Sequence, residues 1–427
     1  MTIANIHQLF LNSNGVCTDT RNIIDNSIFF ALKGERFNAN TFANQALEQG
    51  ASYAIIDEKK YVTSEKYILV DNVLQTLQQL ASYHRQYLKI PIVALTGSNG
   101  KTTTKELIYN VLSTKYNTVA TVGNLNNHIG VPLTLLSMNS DTELGIVEMG
   151  ANHLEEIDFL CSITLPDYGY ITNIGKAHLE GFGGLEGVLK GKTELYRHLQ
   201  KQEKLIFVNA DDPKLLKASK EMKTFTFSEF SKSDLHIKLL QANPMVSVEF
   251  DKTIINSNLI GTYNFSNISA AISIGNYFSI ETDHIKNAIE SYNPSNNRSQ
   301  IIKKNNNTII LDAYNANPSS MKAAIDNFKQ LDYSSKCVFL GDMFELGKEA
   351  AIEHQSIADL ICTTDVNSIF LIGENFEKTI TSDSRITKYK SYEDLKNHWD
   401  SNSDALKDVI LIKGSRGMKL ERILDLI

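Results

Sequence analysis

The chain lacks the marks of secreted, membrane-bound and metal-stapled proteins. Its four cysteines, Cys17, Cys161, Cys337 and Cys362, are scattered over 427 residues without metal-ligand spacing. They read as reduced, buried thiols and not as a disulfide framework. No apolar run approaches the roughly 20 residues that a membrane helix needs. Met1 to Leu11 has no basic start followed by an apolar signal core, so a cytoplasmic protein without membrane insertion is expected. Positive charge is not in excess either. The formal net charge of −7 argues against nucleic-acid partners. Internal repeats and low-complexity tracts are also missing.

What is present is the composition of a soluble globular protein, 42% hydrophobic and 21% charged,. The length is too great for one core and suggests two or three domains. Strand-like runs at Ser27–Leu32, Tyr53–Ile56 and Tyr67–Val70, with a helical stretch Val73–Tyr87, set apart a first domain, 1–88. Apolar runs at Ile90–Leu95, Gly145–Glu148, Tyr168–Ile174 and Leu205–Asn209, separated by helical patterns, predict a mostly parallel sheet covered on both faces in a second, 89–296,. The turn-rich stretch 291–297 then leads to a third, 297–427. Its four runs, Thr308–Leu311, Cys337–Leu340, Ile369–Ile372 and Val409–Ile412, alternate with helices such as Ser319–Leu331 and Ala350–Leu360. The expected architecture is three α/β domains, with a central P-loop-type sheet and a small Rossmann-like domain at the end.

The segment Thr96-Gly97-Ser98-Asn99-Gly100-Lys101-Thr102-Thr103 lies between the Ile90–Leu95 run and a helical pattern, Lys105 to Leu112. Strand, glycine turn and helix start together form a polyphosphate cradle. Backbone amides and the helix dipole face the anion, Lys101 adds charge, and Thr102 offers magnesium a hydroxyl. The usual pattern has glycine where Leu95 stands, so the loop is a shortened variant. A nucleoside triphosphate is the expected ligand.

Other candidates gather at the ends of the same runs. Glu148 ends a central strand beside the loop, where a carboxylate can hold magnesium directly or through water. His178, in AHLEGFG, follows the next strand. Lys190 and Lys192 read by themselves as charge on a helix face. Asn264 and Asn267 are three apart at a helix start, which puts both amides on one face, and helix capping is favoured over base recognition. In the third segment Asp312-Ala313-Tyr314-Asn315, Leu340–Gly347 and Lys413-Gly414-Ser415-Arg416 all follow strands. Three such loops on one edge form a binding surface suited to an anionic substrate.

In this order the motifs resemble those of the ATP-dependent Mur ligases of peptidoglycan synthesis. The resemblance covers nearly the whole chain: Thr18–Arg21, FFALKGER, TGSNGKTTTKE, GNLNNHIGVP, Glu148–Ala151, AHLEGFG, DAYNANP, LGDMFELG and KGSR. The last three strings point to the branch that joins D-alanyl-D-alanine to a UDP-N-acetylmuramoyl-tripeptide. The alternative is a sister Mur ligase or a folylpolyglutamate synthase. The resemblance implies roles. Thr20 and Arg21 would meet the UDP-sugar, and Asn126, Asn127, Tyr314, Asn315, Lys413, Ser415 and Arg416 would serve the substrates. Gly97 to Thr103 would hold the ATP phosphates, with Lys101 catalytic. Thr102 and Glu148 would bind one magnesium. His178 and a carbamylated lysine, Lys192 ahead of Lys190, would bind a second. Asn264 and Asn267 would contact adenine, Arg298 the phosphates and Asp312 the ribose. A monomer is expected. The departures are Thr20 in place of a common Ser, His128 in place of a frequent Glu, and Asn297 in place of the usual Gly before Arg298.

Overall fold

A computed structural model describes residues 1–295, 297–399 and 408–427. Asn296, on which the expected second boundary falls, lies outside them. Among the described residues the strands form three parallel or mostly parallel sheets, each with helices, and two small antiparallel ones. The first sheet runs Val16–Cys17, Ile28–Phe30, Tyr53–Ile56, Tyr67–Leu69, all parallel.

The central sheet is parallel throughout. Its order is Leu235–His236, Thr224–Ser228, Leu205–Asn209, Tyr168–Ile171, Ile92–Thr96, Leu144–Glu148, Thr118–Ala120. Ile92 to Leu95 are fully buried, as a strand covered on both faces requires. Burial of Ile92, Val93 and Leu95 stabilises the fold by about 2 kcal/mol each. On one face the Lys101–Leu112 helix presses Leu107, Ile108, Val111 and Leu112 against the Tyr263–Tyr277 helix. On the other the Val73–Leu88 helix, capped by the Asn72 side chain accepting from Gln75 N, joins the first segment to the sheet.

Several strands are not among the expected runs, including Val16–Cys17 in the first sheet and Thr118–Ala120, Thr224–Ser228 and Leu235–His236 in the central one. The segment Lys238–Ile260 forms a three-stranded antiparallel sheet that the search for parallel α/β elements did not anticipate. The third unit has six strands where four runs were expected. Gln300–Lys304 pairs antiparallel with Asn307–Asp312, and Ile386–Tyr389 adds a parallel edge. Both edge strands are only partly buried, with Lys and Thr interspersed, so their apolar signal is diluted. Their inner neighbours, Asn307–Asp312, Val409–Lys413, Lys336–Gly341 and Ser368–Ile372, match the runs read from the sequence. The expected Ser319–Leu331 helix is Pro318–Phe328, started by an Asn317–Ser320 capping box.

Candidate active site

The phosphate loop is shaped by its glycines. Gly97 has φ +145°, and a Cβ there would lie 1.9 Å from Thr172 Oγ1. Gly100, at φ +79°, occupies the N-cap position of the Lys101–Leu112 helix. The loop is held from the neighbouring strand end. Ser98 N donates to Asn173 O at 3.0 Å, and Asn99 N donates to Asn173 Oδ1 at 3.1 Å. Thr172 Oγ1 and Asn173 Nδ2 both donate to Asn99 O, at 2.6 and 3.0 Å. The expected strand Tyr168–Ile174 thus ends at Ile171, and its last residues leave the ladder to brace the loop. The Lys101 ammonium donates to Gly97 O at 2.7 Å. Burial lowers its pKa, the Glu148 carboxylate opposes that, and the Arg298 charge adds to it.

A cavity of about 410 Å³ opens over this loop. Ser98 to Thr103, Asn126, Glu148, Asn264, Asn267, Arg298, Asp312, Tyr314, Asn315 and Lys413 all line it. Residues more than 200 positions apart therefore converge where parallel sheets place ligands, at the strand C-terminal ends. A larger groove of about 820 Å³ lies at the opposite, N-terminal ends of the strands, around Asp167 and Leu205, and holds none of the predicted residues.

Glu148 is 1% exposed. Its Oε1 accepts from Asn126 Nδ2 at 2.8 Å, while Oε2 is buried with no hydrogen-bond partner. A buried carboxylate oxygen left unpaired is costly, and one that lines a nucleotide-sized cavity fits a hard cation. Among the described residues no three His, Cys, Asp or Glu side chains form a ready metal cluster. Beside this carboxylate, the Thr102 hydroxyl is the other oxygen of the predicted pair that lines the cavity.

The structure separates the two lysines. Lys190 is exposed, whereas Lys192 is 1% exposed, with Nζ donating to Ala151 O at 3.0 Å and lying 5.1 Å from the Phe182 ring centroid. Burial first, and the Lys101 charge second, push the Lys192 pKa well below the usual lysine value. His178 has a left-handed backbone at the start of the Leu179–Phe182 helix. Its Nδ1 shares a hydrogen bond with the Glu345 carboxylate of the third unit, and that contact holds the Glu345 pKa below the usual range. His178 and Lys192 lie outside the lining of the nucleotide cavity. Lys192 packs on Phe182, whose N donates to His178 O at 3.1 Å, and reaches Ala151 O just past the Glu148 strand end.

In the third unit Lys413 Nζ donates to Asp312 Oδ2 at 2.5 Å and to Asn315 O at 3.3 Å. The Arg298 guanidinium sits 3.8 Å from the Tyr314 ring centroid, a cation–π arrangement, and its buried Nε has no partner. Asn297 has φ +58°; asparagine tolerates this region, which accounts for its standing where glycine is usual. Arg416 is 5.8 Å from the same ring and pairs with Glu421 at 3.0 Å. Ser415 Oγ accepts from Phe344 N at 2.9 Å.

Some expectations come out differently. Asn264 and Asn267 do not cap their helix, whose N-cap Thr262 makes no side-chain bond. Asn264 Nδ2 donates to Ile260 O, Asn267 Nδ2 to Asn264 Oδ1, and Thr104 Oγ1 to Asn267 Oδ1. Both residues line the cavity. Asn127 Oδ1 accepts from Ile129 N and Gly130 N, a local turn role. With Asn126 and His128 it also lines a second cavity of about 580 Å³ beside the first. Thr20 and Arg21 stand apart from these cavities, and Arg21 pairs with Asp19 on an open surface. Sequence reasoning missed Thr172, Asn173, Tyr263 and Ser299. The Thr172-Asn173 pair closing a strand run one step from the phosphate loop was the available signal.

A glycine-shaped phosphate loop at the tips of a parallel sheet, roofed by a second α/β unit, defines a nucleotide-using α/β enzyme. A family model for the Mur ligase middle domain matches residues 95–275, and one for the Mur ligase glutamate ligase domain matches 297–416. The chain is 37% identical to UDP-N-acetylmuramoyl-tripeptide–D-alanyl-D-alanine ligase of Bacillus subtilis (strain 168), over 97% of this chain and 93% of that one. The structure of MurF from Acinetobacter baumannii superposes with a TM-score of 0.85 at 29% identity, covering 98% of this chain and 97% of that one. MurF ligase from Thermotoga maritima, solved in complex with ADP, gives 0.85 at 26% with the same coverage. The chain belongs to the Mur ligase family, whose members are ATP-dependent ligases.

Proposed function

We propose that the chain joins D-alanyl-D-alanine to the tripeptide carboxylate of UDP-N-acetylmuramoyl-tripeptide, with ATP converted to ADP and phosphate. The observation that carries the reading is the cavity at Ser98–Thr103, walled by Glu148 on one side and by Arg298, Asp312 and Lys413 of the third unit on the other. The likeness to relatives named for this reaction supports it.

A carboxylate is a poor acylating agent. Its oxygen attacks the ATP γ-phosphorus, ADP leaves, and the resulting acyl phosphate carries a good leaving group. The dipeptide amine then attacks the acyl carbon, and the tetrahedral intermediate expels phosphate as the nitrogen loses its proton. Loop amides and Lys101 stabilise charge on the phosphoryl oxygens. Arg298, with an unpaired buried Nε, is suited to do the same from the third unit. Bound magnesium would neutralise phosphoryl charge and orient the oxygens. Thr102 and Glu148 would hold one such ion, and His178 with a carbamylated Lys192 another. Carbamylation requires a neutral amine to add to CO2, releasing a proton, and the lowered pKa of Lys192 supplies that amine. Asn264 and Asn267 would read the adenine and Asp312 the ribose. Asn126, Asn127, Tyr314, Asn315, Lys413, Ser415 and Arg416 would guide the peptide substrates, with Thr20 and Arg21 at the UDP-sugar. Excluding water from the acyl phosphate calls for docking of the third unit over the second.

The same reading divides the chain at 88/89 and 296/297 and makes it a cytoplasmic monomer. No described helix is long and apolar enough to cross a membrane. The test is ligation by purified protein given ATP, D-alanyl-D-alanine and UDP-tripeptide ending in either diaminopimelate or lysine. Formation of UDP-pentapeptide is expected, and its absence with both tripeptides refutes the proposal.

A further inference from the structure

Glu345 reaches His178 from the opposite unit, and everything around it holds it there. The loop that carries it leaves the Lys336–Gly341 strand and is tied at each step. Asp342 N donates to Ile372 O at 3.0 Å, Met343 N to His354 Nε2 at 2.9 Å, and Phe344 N to Ser415 Oγ at 2.9 Å. The buried Asp342 carboxylate accepts from Asn375 N and Phe376 N. Glu345 and His178 both have left-handed backbones, at φ +62° and +51°, each costing on the order of 1 kcal/mol in a residue other than glycine. Glu180 N points at Glu345 O at 3.4 Å, and a Cβ at Gly347 would lie 3.1 Å from the Glu180 side chain. Close by, Lys176 pairs with the buried Glu353 at 2.5 Å, and its N donates to Ser319 Oγ at 2.8 Å. An ordinary exposed ion pair contributes about 0–1 kcal/mol, so the placement of Glu345 rests on the bonds that hold its loop.

We propose that Glu345 is a positioning residue for a cation site that includes His178, its carboxylate orienting the imidazole only when the third unit is docked on the second. A histidine that donates through Nδ1 keeps its lone pair on Nε2. A carboxylate on the far nitrogen is the arrangement that fixes ring and tautomer in metal sites. The cation site is thereby completed by docking, and docking is favoured by the cation. The inference rests on reading His178 as a magnesium ligand.

The experiment titrates Mn2+ into the full chain with a non-hydrolysable ATP analogue, following free Mn2+ by electron paramagnetic resonance. The wild type should bind two ions. Glu345→Ala should weaken the weaker one by about 10–100-fold, leaving the stronger ion and melting temperature unchanged and lowering analogue affinity by a few-fold at most. Glu345→Gln, which keeps an acceptor for the Nδ1 proton, should stay within a few-fold of wild type. The proposal is overturned if the alanine variant keeps the wild-type isotherm, if it loses both ions and the nucleotide together, or if the wild type binds a single ion. Loss of the ligase reading would show separately, as missing UDP-pentapeptide from a wild type whose Mn2+ isotherm still depends on Glu345.

Discussion

Gly100 and Asn267 meet at the base of the phosphate loop, where a Cβ on Gly100 would lie 2.6 Å from Asn267 Oδ1. Asn267 cannot easily retreat, because Thr104 and Asn264 hold its amide. The residue also has φ +79°, which alanine resists. Gly100→Ala should cost about 1–3 kcal/mol of stability and weaken ADP binding. Thermal melts and calorimetric ADP titration measure both, and wild-type ADP affinity in the variant would contradict this account of the loop.

Lys101→Ala removes the ammonium that the proposed function sets against the phosphates. We expect kcat to fall by about 100-fold or more, with thermal melts reporting separately on the loss of the Gly97 O contact. Phosphate release assayed with both substrates reports the rate.

The two nearby lysines should behave oppositely. Lys192→Ala should abolish ligation, and short carboxylates should restore part of it. Lys190→Ala should be nearly silent, since that side chain is exposed. Depleting CO2 from the buffers should slow the wild type reversibly. Unchanged turnover in CO2-free buffer, with no carboxylate rescue of the alanine variant, would argue against carbamylation.

Stability should fall in mild acid through a buried histidine pair. His7 Nε2 donates to His84 Nδ1 at 3.0 Å, and His84 Nε2 donates to Met138 O at 2.8 Å, an order set because a carbonyl only accepts. Burial lowers both pKa values, and His84 lowers that of His7 further. Unfolded histidines take up protons near pH 6.5, so below that pH the unfolded chain binds more protons than the folded one. Stability therefore rises with pH across this window. It is full above about pH 6.5 and is lost as pH drops toward the lowered folded values. The double variant His7→Phe with His84→Gln should reduce the pH slope of the melting temperature between about pH 5.5 and 7.5, the remainder coming from His198 and His354, whose pKa values burial also lowers. An unaltered pH slope would rule the pair out as its source.

The sequence made the central strands and the phosphate loop legible because both are local signals. Ile92–Leu95 is apolar on both faces, and the glycines around Lys101 are dictated by backbone angles. Among the strands that escaped notice, Gln300–Lys304 and Ile386–Tyr389 lie at edges where the residues are only partly buried and the apolar pattern is weak. Spacing alone favours capping for Asn264 and Asn267, whereas the resemblance assigns them to ATP, and both line the cavity. Whether an amide caps its own helix or faces a cavity depends on Thr104, more than 150 residues away. Lys190 and Lys192 could be told apart by no local rule, since only burial against Phe182 and Ala151 distinguishes them.

Asn99 belongs to two structures at once. Its backbone shapes the phosphate loop, while its Oδ1 accepts from Asn317 Nδ2 of the third unit at 2.8 Å. A residue shared in this way makes the two events thermodynamically reciprocal. Whatever nucleotide binding does to the position of Asn99 changes the free energy of bringing the third unit down, and by the same amount in reverse. Substitutions at Asn99 and Asn317 should then combine non-additively in ADP affinity, although Asn317 lies outside the cavity where ADP would sit.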